Sequence, residues 1–324
     1  MSKRATILGA GAWGTAIAQL LADNGHQVTL WTVEPLVADE INLKHTNNRY
    51  VPAAILPPTV RATTDIAAAV SEADWLVEAV PVAHLRQVCE RIKQTSVSRA
   101  LPWLLLSKGI EQHTLLLPHA ILADVFKQPV PTAILAGPTF ASDVVQRSFT
   151  AAMLAATDDK LRSAAQELLQ APYFRLYPTD DVIGAQVGGA VKNVIALAAG
   201  MARGAGHHEN MHAFILTRGF AELERLTLFF GGTRDTAASL AGLGDLMLTA
   251  SSTTSKNFKA GMLIGQGLPF AQLDRHMPTL PEGINTAQSL NALRKKHALD
   301  LPLCAGVYAC LFEGASFASL LRSL

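Results

Sequence analysis

Residues 6–14 read Thr-Ile-Leu-Gly-Ala-Gly-Ala-Trp-Gly, so a short apolar run leads directly into a GxGxxG pattern. In a strand-turn-helix context, Gly9 permits the tight turn, Gly11 lets a pyrophosphate approach the backbone, and Gly14 lets the helix pack closely on the strand. Residues 15–22 have helical spacing and provide that context, and the N–H groups at a helix N-terminus favour phosphate. This segment therefore predicts a βαβ unit that binds a dinucleotide, with Ala12 and Trp13 in the binding turn.

Short apolar runs separated by helical patterns continue through the first half of the chain and predict a mostly parallel sheet buried on both faces. The predicted strands are residues 6–8, 28–31, 75–80, 103–106, 133–135 and 151–154. Residues 49–58 contain three prolines and predict a surface loop that is able to cover a ligand.

The second half of the chain has a different sequence pattern. Long segments rich in Ala, Leu and Gly repeat at helical period in residues 183–202, 211–230 and 258–265. Pro178 is followed by Thr179, Asp180 and Asp181, which are good N-cap residues, so a domain junction is expected here. The predicted fold class is α/β. A Rossmann-type dinucleotide-binding domain with a mostly parallel sheet spans residues 1–180, and an all-α substrate domain spans residues 181–324.

Composition narrows the class of protein. A chain of 324 residues with 49% hydrophobic and 16% charged residues fits a two-domain globular enzyme and excludes a disordered one. The net charge of +1 offers no general field for nucleic acid or an anionic membrane, so small-molecule partners are expected. Residues 183–202 are apolar but include Gln186, Lys192 and Asn193, which favours a buried helix over a membrane span.

Cysteine content and the N-terminus point to a cytoplasmic location. Cys89, Cys304 and Cys310 show no CxxC or Cys/His spacing, so neither a disulfide framework nor a metal site is expected. The residues before the first predicted strand are too few for a signal peptide.

Lys192 is the candidate acid or base for carbonyl reduction. It lies among small and apolar residues, where desolvation would lower the pKa of a lysine toward the range useful for proton transfer. Its alternative is a buried stem with an ammonium that reaches solvent. Gly188 and Gly189 favour the functional interpretation, because they permit close approach of another backbone or of a ligand.

Each of the other candidate site residues could instead have an ordinary structural role. Lys108 follows a strand at the carboxyl end of the predicted sheet, where ligands bind, but surface-loop lysines are common. Residues 137–141 follow another strand and are either a ligand turn or an ordinary one. Asp245 lies between apolar segments and should meet a cation or a substrate hydroxyl, unless it is a helix N-cap. Residues 255–257 (Ser-Lys-Asn) are either a phosphate clamp or a solvated loop.

Together these segments resemble the bacterial NAD(P)-dependent sn-glycerol-3-phosphate dehydrogenase family, in order along nearly the whole chain. The matching segments are residues 9–16, 107–109, 137–141, 188–194, 217–219, 242–246 and 282–283. The lysine-bearing segment 188–194, Gly-Gly-Ala-Val-Lys-Asn-Val, is the most specific of them.

The resemblance implies reversible hydride transfer between NAD(P)H and C2 of dihydroxyacetone phosphate, which gives sn-glycerol 3-phosphate for glycerophospholipid synthesis, and it implies a homodimer. Lys192 would be the general acid and base, Lys108 would orient the substrate, and Asp245 would bind its glycerol end. The implied substrate-binding residues also include Gly137, Thr139, Asn193, Ser255, Lys256 and Asn257. The implied cofactor-binding residues are Gly9, Gly11, Ala12, Trp13, Gly14, Lys108, Ala141, Lys256, Leu280 and Glu282.

Two positions depart from the family pattern. Lys256 stands where the family has arginine, so a planar fork able to bind phosphate through two bonds is replaced by a single ammonium. Glu78 interrupts a buried strand where the family usually has an aliphatic residue, and its charge needs a partner. Glu34 lies near the end of the second strand, where a carboxylate would bind the adenosine ribose and would slightly favour NAD over NADP. The alternative is that Glu34 is a solvated loop residue.

Two rival functions remain at this point. A dehydrogenase of the same plan could act on a hydroxy acid, and would not depend on substrate phosphate. A dinucleotide-binding sensor could keep the fold without turnover, since fold does not fix function.

Overall fold

A computed structural model describes residues 2–52, 54–95, 101–277 and 279–324 of the chain. The chain forms two compact units, and the first consists of Met1–Ser107 and Pro118–Val182. The second consists of Lys108–Leu117 and Ile183–Leu324. Lys108 therefore belongs with the helical second unit although it follows a strand of the first, a placement that nothing in the sequence indicated.

The first unit alternates strands and helices. Its elements are β1 (Arg4–Leu8), α1 (Ala12–Asp23), β2 (Gln27–Trp31), α2 (Pro35–Lys44), β3 (Val60–Thr63), α3 (Ile66–Ser71), β4 (Trp75–Glu78), α4 (Val82–Lys93), β5 (Trp103–Leu105), α5 (Pro118–Phe126), β6 (Thr132–Ala136), α6 (Ala141–Val145), β7 (Thr150–Ala155), α7 (Asp159–Leu169) and β8 (Phe174–Thr179). All six predicted strands are present, and α1 ends at Asp23, with Asn24 as its C-cap and Gly25 in a left-handed conformation.

The eight strands form one sheet in the order β3-β2-β1-β4-β5-β6-β7-β8. Neighbouring strands are parallel except β6 and β7. The central strands are apolar and fully covered, which places the core of this unit on both faces of the sheet. The predicted Rossmann-type architecture is confirmed.

The strand prediction was incomplete because β3 and β8 were not recognised. Both are edge strands of the sheet, and exposed Arg61 and Pro178 interrupt their apolar patterns. An edge strand tolerates proline and polar residues because one side makes no ladder bonds. The predicted strand 75–80 ends at Glu78, where the chain turns.

The second unit is helical, as predicted. Its elements are α8 (Val182–Gly204), α9 (Glu209–Phe230), α10 (Arg234–Ala237), a π-helical turn (Leu240–Gly244), α11 (Asp245–Ser251), α12 (Lys256–Gly265), a 3₁₀-helix (Phe270–Arg275), α13 (Glu282–His297), α14 (Pro302–Phe312) and α15 (Phe317–Arg322). The residues of α8 from Gly184 to Ala202 are all buried, so this helix is the centre of the core.

Four glycines bring α8 and α12 into backbone contact. A Cβ atom at Gly200 would lie 2.1 Å from the carbonyl oxygen of Phe258, and one at Gly261 would lie 2.2 Å from that of Leu197. Gly204 and Gly265 approach the facing helix equally closely, one turn later on each side. The two helices therefore cross at a separation that permits no side chain at these four positions.

Helix α8 is also the one described helix whose length and composition would suit a membrane span, and 89% of its most apolar window is buried inside the protein. Gln186, Lys192 and Asn193 are buried with it. The expectation of a buried core helix is confirmed.

Candidate active site

The turn between β1 and α1 has the geometry that the glycine pattern predicts. Gly9 has a φ of 114°, and a Cβ atom there would lie 2.7 Å from the carbonyl oxygen of Ala79. A Cβ at Gly14 would lie 2.0 Å from the carbonyl oxygen of Gly9, so helix and strand can approach this closely only at glycine. A Cβ at Gly11 would meet no atom within 4 Å.

This turn fits the phosphates of a dinucleotide. Among the residues that the structure describes, none fills the space beside Gly11 and no side chain caps the N-terminus of α1, whose first residues are Ala12 and Trp13. Backbone N–H groups at such a helix N-terminus carry partial positive charge and bind phosphate oxygens.

Three predicted ligand residues lie beyond the carboxyl end of β6, on the same edge of the parallel sheet. Gly137 has a φ of 149°, and its missing side chain leaves room for Ala152 on β7, 3.0 Å from where a Cβ would be. The Thr139 hydroxyl donates to the carbonyl oxygen of Gly137 at 3.3 Å, and Ala141 begins α6. Ligands of open α/β sheets bind at this edge.

Glu34 lies just beyond β2 and makes two side-chain contacts. Its carboxylate accepts a hydrogen bond from the hydroxyl of Tyr50 and forms an ion pair with Arg49. The proline-rich loop that contains Arg49 and Tyr50 therefore packs against the position predicted to bind the adenosine ribose.

The second unit brings Lys108, Lys192 and Asp245 together. Nζ of Lys192 on α8 lies 2.6 Å from Oδ1 of Asp245, and Nζ of Lys108 lies 2.6 Å from Oδ2. Asp245 is 1% exposed and is the first residue of α11, so a carboxylate buried at this point meets the cations that its burial requires.

The two glycines before Lys192 explain how the cluster is assembled. A Cβ at Gly188 would lie 2.6 Å from the carbonyl oxygen of Ala241, so the π-helical turn that leads to Asp245 packs directly on α8. A Cβ at Gly189 would lie 3.2 Å from Cγ of Lys108. The close approach that the sequence predicted at these glycines is confirmed.

Burial tunes the ionisation of this cluster. Desolvation lowers the pKa of Lys192 to about 8, assisted by the charge of Lys108 and opposed by Asp245. Burial by itself would raise the pKa of the Asp245 carboxyl, but the ammonium groups of Lys108 and Lys192 hold that pKa below its ordinary value. Lys192 is therefore a charged acid at neutral pH that can lose its proton within the physiological range.

Thr249 is a member of the cluster that the sequence did not reveal. Its hydroxyl oxygen accepts a hydrogen bond from Nζ of Lys192 at 2.6 Å and lies 3.2 Å from Oδ1 of Asp245. Thr249 follows Asp245 by four residues on α11, which was the available signal. An ammonium has three donors, and among the described residues these two contacts leave one N–H of Lys192 for another oxygen.

A second set of polar side chains joins α8 to α12 and α13. Nδ2 of Asn257 donates to Oδ1 of Asn193 at 2.9 Å, and the N–H of Gly283 donates to Oδ1 of Asn257 at 3.0 Å. The side chain of Asn193 also lies 3.4 Å from the carbonyl oxygen of Lys108. These amides tie the start of α12 to the helix that carries Lys192.

The remaining predicted residues lie at the starts of α12 and α13. Ser255 is buried and caps α12, since its hydroxyl accepts from the N–H of Phe258 at 3.3 Å. Lys256 is exposed, and its ammonium donates to Thr279 at 3.2 Å. Leu280 is exposed and Glu282 begins α13. A cation and a helix N-terminus thus lie side by side at α12, which suits a phosphate.

The buried carboxylate of Glu78 is partnered by backbone N–H groups. Among the described residues Glu78 forms no ion pair, and its carboxylate instead accepts hydrogen bonds from the N–H groups of Val80 and Ser107.

Comparison with known proteins identifies the family. The NAD-dependent glycerol-3-phosphate dehydrogenase N-terminus matches residues 4–162, and the C-terminus of the same family matches residues 181–322. A glycerol-3-phosphate dehydrogenase [NAD(P)+] of Lysinibacillus sphaericus is 38% identical over 96% of this chain and 92% of its own length. One of Maricaulis maris is 39% identical over 98% of this chain and 95% of its own length.

A solved structure supports the same family. The crystal structure of glycerol-3-phosphate dehydrogenase from Coxiella burnetii matches with a TM-score of 0.95 at 33% identity, covering 99% of this chain and 98% of that one. The chain therefore belongs to the NAD-dependent glycerol-3-phosphate dehydrogenase family, and it is an oxidoreductase that uses NAD or NADP.

Proposed function

We propose that this chain reversibly reduces dihydroxyacetone phosphate at C2 to sn-glycerol 3-phosphate, with Lys192 as the general acid. The observation that carries the proposal is the buried cluster in which Asp245 is shared by Lys192 and Lys108. A ketone reduction needs a positive proton donor beside the forming alkoxide, and Lys192 is such a donor with one N–H available among the described residues.

NADH or NADPH supplies the hydride when bound. The residues proposed to hold it are Gly9, Gly11, Ala12, Trp13, Gly14, Lys108, Ala141, Lys256, Leu280 and Glu282. The glycine turn has the open space and the uncapped helix N-terminus that a pyrophosphate requires.

The other residues of this chain bind and orient the substrate. We assign Lys108 to the carbonyl end and Asp245 to the hydroxyl of the glycerol end. Asp245 also keeps Lys192 protonated near neutral pH, because its negative charge opposes the desolvation of the ammonium. Thr249 restrains the ammonium through a second hydrogen bond.

The phosphate is assigned to the start of α12. Ser255, Lys256 and Asn257 lie there, and Asn257 is joined to Asn193 beside Lys192, so the phosphate and the acid are held in one framework. Gly137 and Thr139 are assigned further substrate contacts. Residues 1–180 would then serve as the cofactor domain and residues 181–324 as the substrate domain.

We further propose a cytoplasmic homodimer that supplies sn-glycerol 3-phosphate to glycerophospholipid synthesis. Sedimentation of the purified chain at several concentrations tests the dimer, because a single species of monomer mass would exclude it.

The reaction is tested by following oxidation of NADH, and of NADPH in parallel, on addition of dihydroxyacetone phosphate. We expect turnover that requires the phosphate and that is lost in Lys192→Ala. Unphosphorylated dihydroxyacetone and a 2-keto acid are the substrate controls. Turnover of the keto acid alone would support a hydroxy acid dehydrogenase, and cofactor binding without any turnover would support a sensor.

A further inference from the structure

Glu78 is a fully buried carboxylate outside the proposed catalytic cluster. It is the last residue of β4, it is 0% exposed, and its neighbours in register on the adjoining strands are Leu8 and Leu105. The described residues provide it with no ion pair. A charge in such a place is costly, so the groups that accompany it define its role.

The two oxygens of Glu78 bind different segments of backbone. Oε1 accepts from the N–H of Val80 at 2.8 Å, and Oε2 accepts from the N–H of Ser107 at 3.2 Å. One carboxylate therefore joins the turn that follows β4 to the residue that follows β5.

The turn after β4 lies directly against the dinucleotide turn. The N–H of Ala79 donates to the carbonyl oxygen of Leu8 at 2.9 Å. A Cβ at Gly9 would lie 2.7 Å from the carbonyl oxygen of Ala79 and 3.1 Å from Cγ1 of Val80. The position of Ala79 and Val80 thus limits where the glycine turn can lie.

The charge of Glu78 decides how strongly it holds both N–H groups. A carboxylate is a strong acceptor at both oxygens, whereas in a carboxylic acid one oxygen carries a proton and is a much weaker acceptor. Burial raises the pKa of Glu78 to about 7, while hydrogen bonds from Ser107 and Val80 oppose the shift. Its protonation state therefore changes within the pH range in which enzymes are assayed.

We propose that Glu78 is a positioning residue, whose anionic carboxylate fixes the turn after β4 beneath Gly9 and so sets the affinity of the glycine turn for the dinucleotide. The inference rests on the proposed nicotinamide cofactor.

The test is the dissociation constant of NADH, measured by its fluorescence without substrate, between about pH 6 and pH 8.5. For the wild type we expect binding to weaken about fivefold toward the acid end, the effect of one hydrogen bond. Glu78→Gln mimics the protonated acid, so its affinity should be independent of pH and equal to that of the wild type at pH 6. Glu90→Gln, the same change at an exposed position of α4, should follow the wild type.

Parallel pH profiles in the wild type and Glu78→Gln would overturn the inference. So would tighter binding by the wild type at low pH, because that direction would mean that the carboxylate merely repels the phosphates. If Glu78→Gln fails to fold, Glu78→Leu serves instead, and it too should bind NADH independently of pH.

Failure of the proposed function looks different. A folded wild type that binds neither NADH nor NADPH would remove both proposals. Wild-type binding and turnover that keep the same pH dependence in the variants would remove only the role of Glu78.

Discussion

Lys192 and Lys108 share one carboxylate, with each ammonium 2.6 Å from a different oxygen of Asp245. Two positive charges held by one buried negative charge leave the cluster with a net positive charge. That charge is suited to an oxygen that becomes negative during reduction.

Replacing Lys192 should abolish the chemical step while leaving cofactor binding intact. Loss of a general acid costs about 10²- to 10⁴-fold in rate, so Lys192→Ala should lower kcat by this factor. Lys192→Arg should lose as much, because a guanidinium retains its proton near neutral pH. Lys259→Ala removes an exposed lysine of α12 and serves as the control in steady-state assays. Near wild-type activity in Lys192→Arg would show that only the charge matters.

The pH dependence should follow the ionisation of Lys192. Reduction needs the ammonium, so its rate should fall as pH rises through about 8, the pKa of Lys192, while oxidation should rise over the same range. Asp245→Asn removes the negative charge that opposes desolvation, so both limbs should move to lower pH. Rates measured in both directions from about pH 6 to pH 10 check this. A limb that stays in place or moves to higher pH would contradict the assignment.

Placing arginine at position 256 should improve binding of the substrate phosphate. A guanidinium can donate two parallel hydrogen bonds to phosphate where the ammonium is a single point charge. We expect Lys256→Arg to lower KM for dihydroxyacetone phosphate several-fold, with kcat nearly unchanged. Lys259→Arg is the matched control, since Lys259 lies one turn away on the same helix. An unchanged KM would place the phosphate elsewhere.

Cofactor preference should depend on Glu34. Its carboxylate is ion-paired to Arg49, and a carboxylate at this point favours a ribose hydroxyl over a 2′-phosphate. The wild type should therefore have a lower KM for NADH than for NADPH. Glu34→Gln leaves Arg49 able to pair with the 2′-phosphate of NADPH. The difference between the KM values for NADH and NADPH should therefore become smaller. The double variant Glu34→Gln/Arg49→Ala tests the cause, because it should lose the gain in NADPH affinity.

Glu222 should stabilise the second unit. It is buried on α9 and accepts hydrogen bonds from the N–H groups of Leu303 and Cys304, at the start of α14, where no side chain of α14 provides a cap. Glu222→Ala leaves two buried donors unpaired and should lower the free energy of unfolding by about 2–4 kcal/mol.

Chemical denaturation at neutral pH measures the effect of Glu222→Ala. The control is Glu224→Ala, on the same helix. It should lower the free energy of unfolding by less than about 1 kcal/mol, because Glu224 is partly exposed and its ion pair with Arg234, at 3.6 Å, is screened by solvent. Equal losses in the two variants would show that Glu222 is not a cap. Burial raises the pKa of Glu222, so the stability it contributes should be largest at low pH and should decline as pH rises through its folded pKa.

The sequence predicted what local patterns encode. The GxGxxG turn, the buried strands and the core helices are periodic over short distances, and Lys192 was recognisable because a charged residue stood among small apolar ones. The need of Asp245 for a cation followed from its apolar surroundings in the same way.

Relationships between distant segments were not predictable. The cap that Glu222 provides joins residues about 80 positions apart, and the grouping of Lys108–Leu117 with the helical unit depends on packing. The edge strands β3 and β8 were missed because buried residues alternate with exposed ones over only a few positions in each, so neither contains a continuous apolar run. Glu78 could be flagged as unusual, but its partners are backbone groups, which a sequence does not distinguish.

The crossing of α8 and α12 has a consequence for how this protein can be changed. Lys192 lies on the first of these helices and Lys256 begins the second, so the glycine contacts at Gly200 and Gly261 limit how far apart the proposed acid and the proposed phosphate-binding end can be. At these glycines the distance is set by contact of main chain on main chain, and beside the two lysines it is held by the hydrogen bond between Asn257 and Asn193. Attempts to recruit the protein to a larger substrate would therefore have to rebuild a helix pair, and substitutions confined to residues that touch the ligand would not be sufficient.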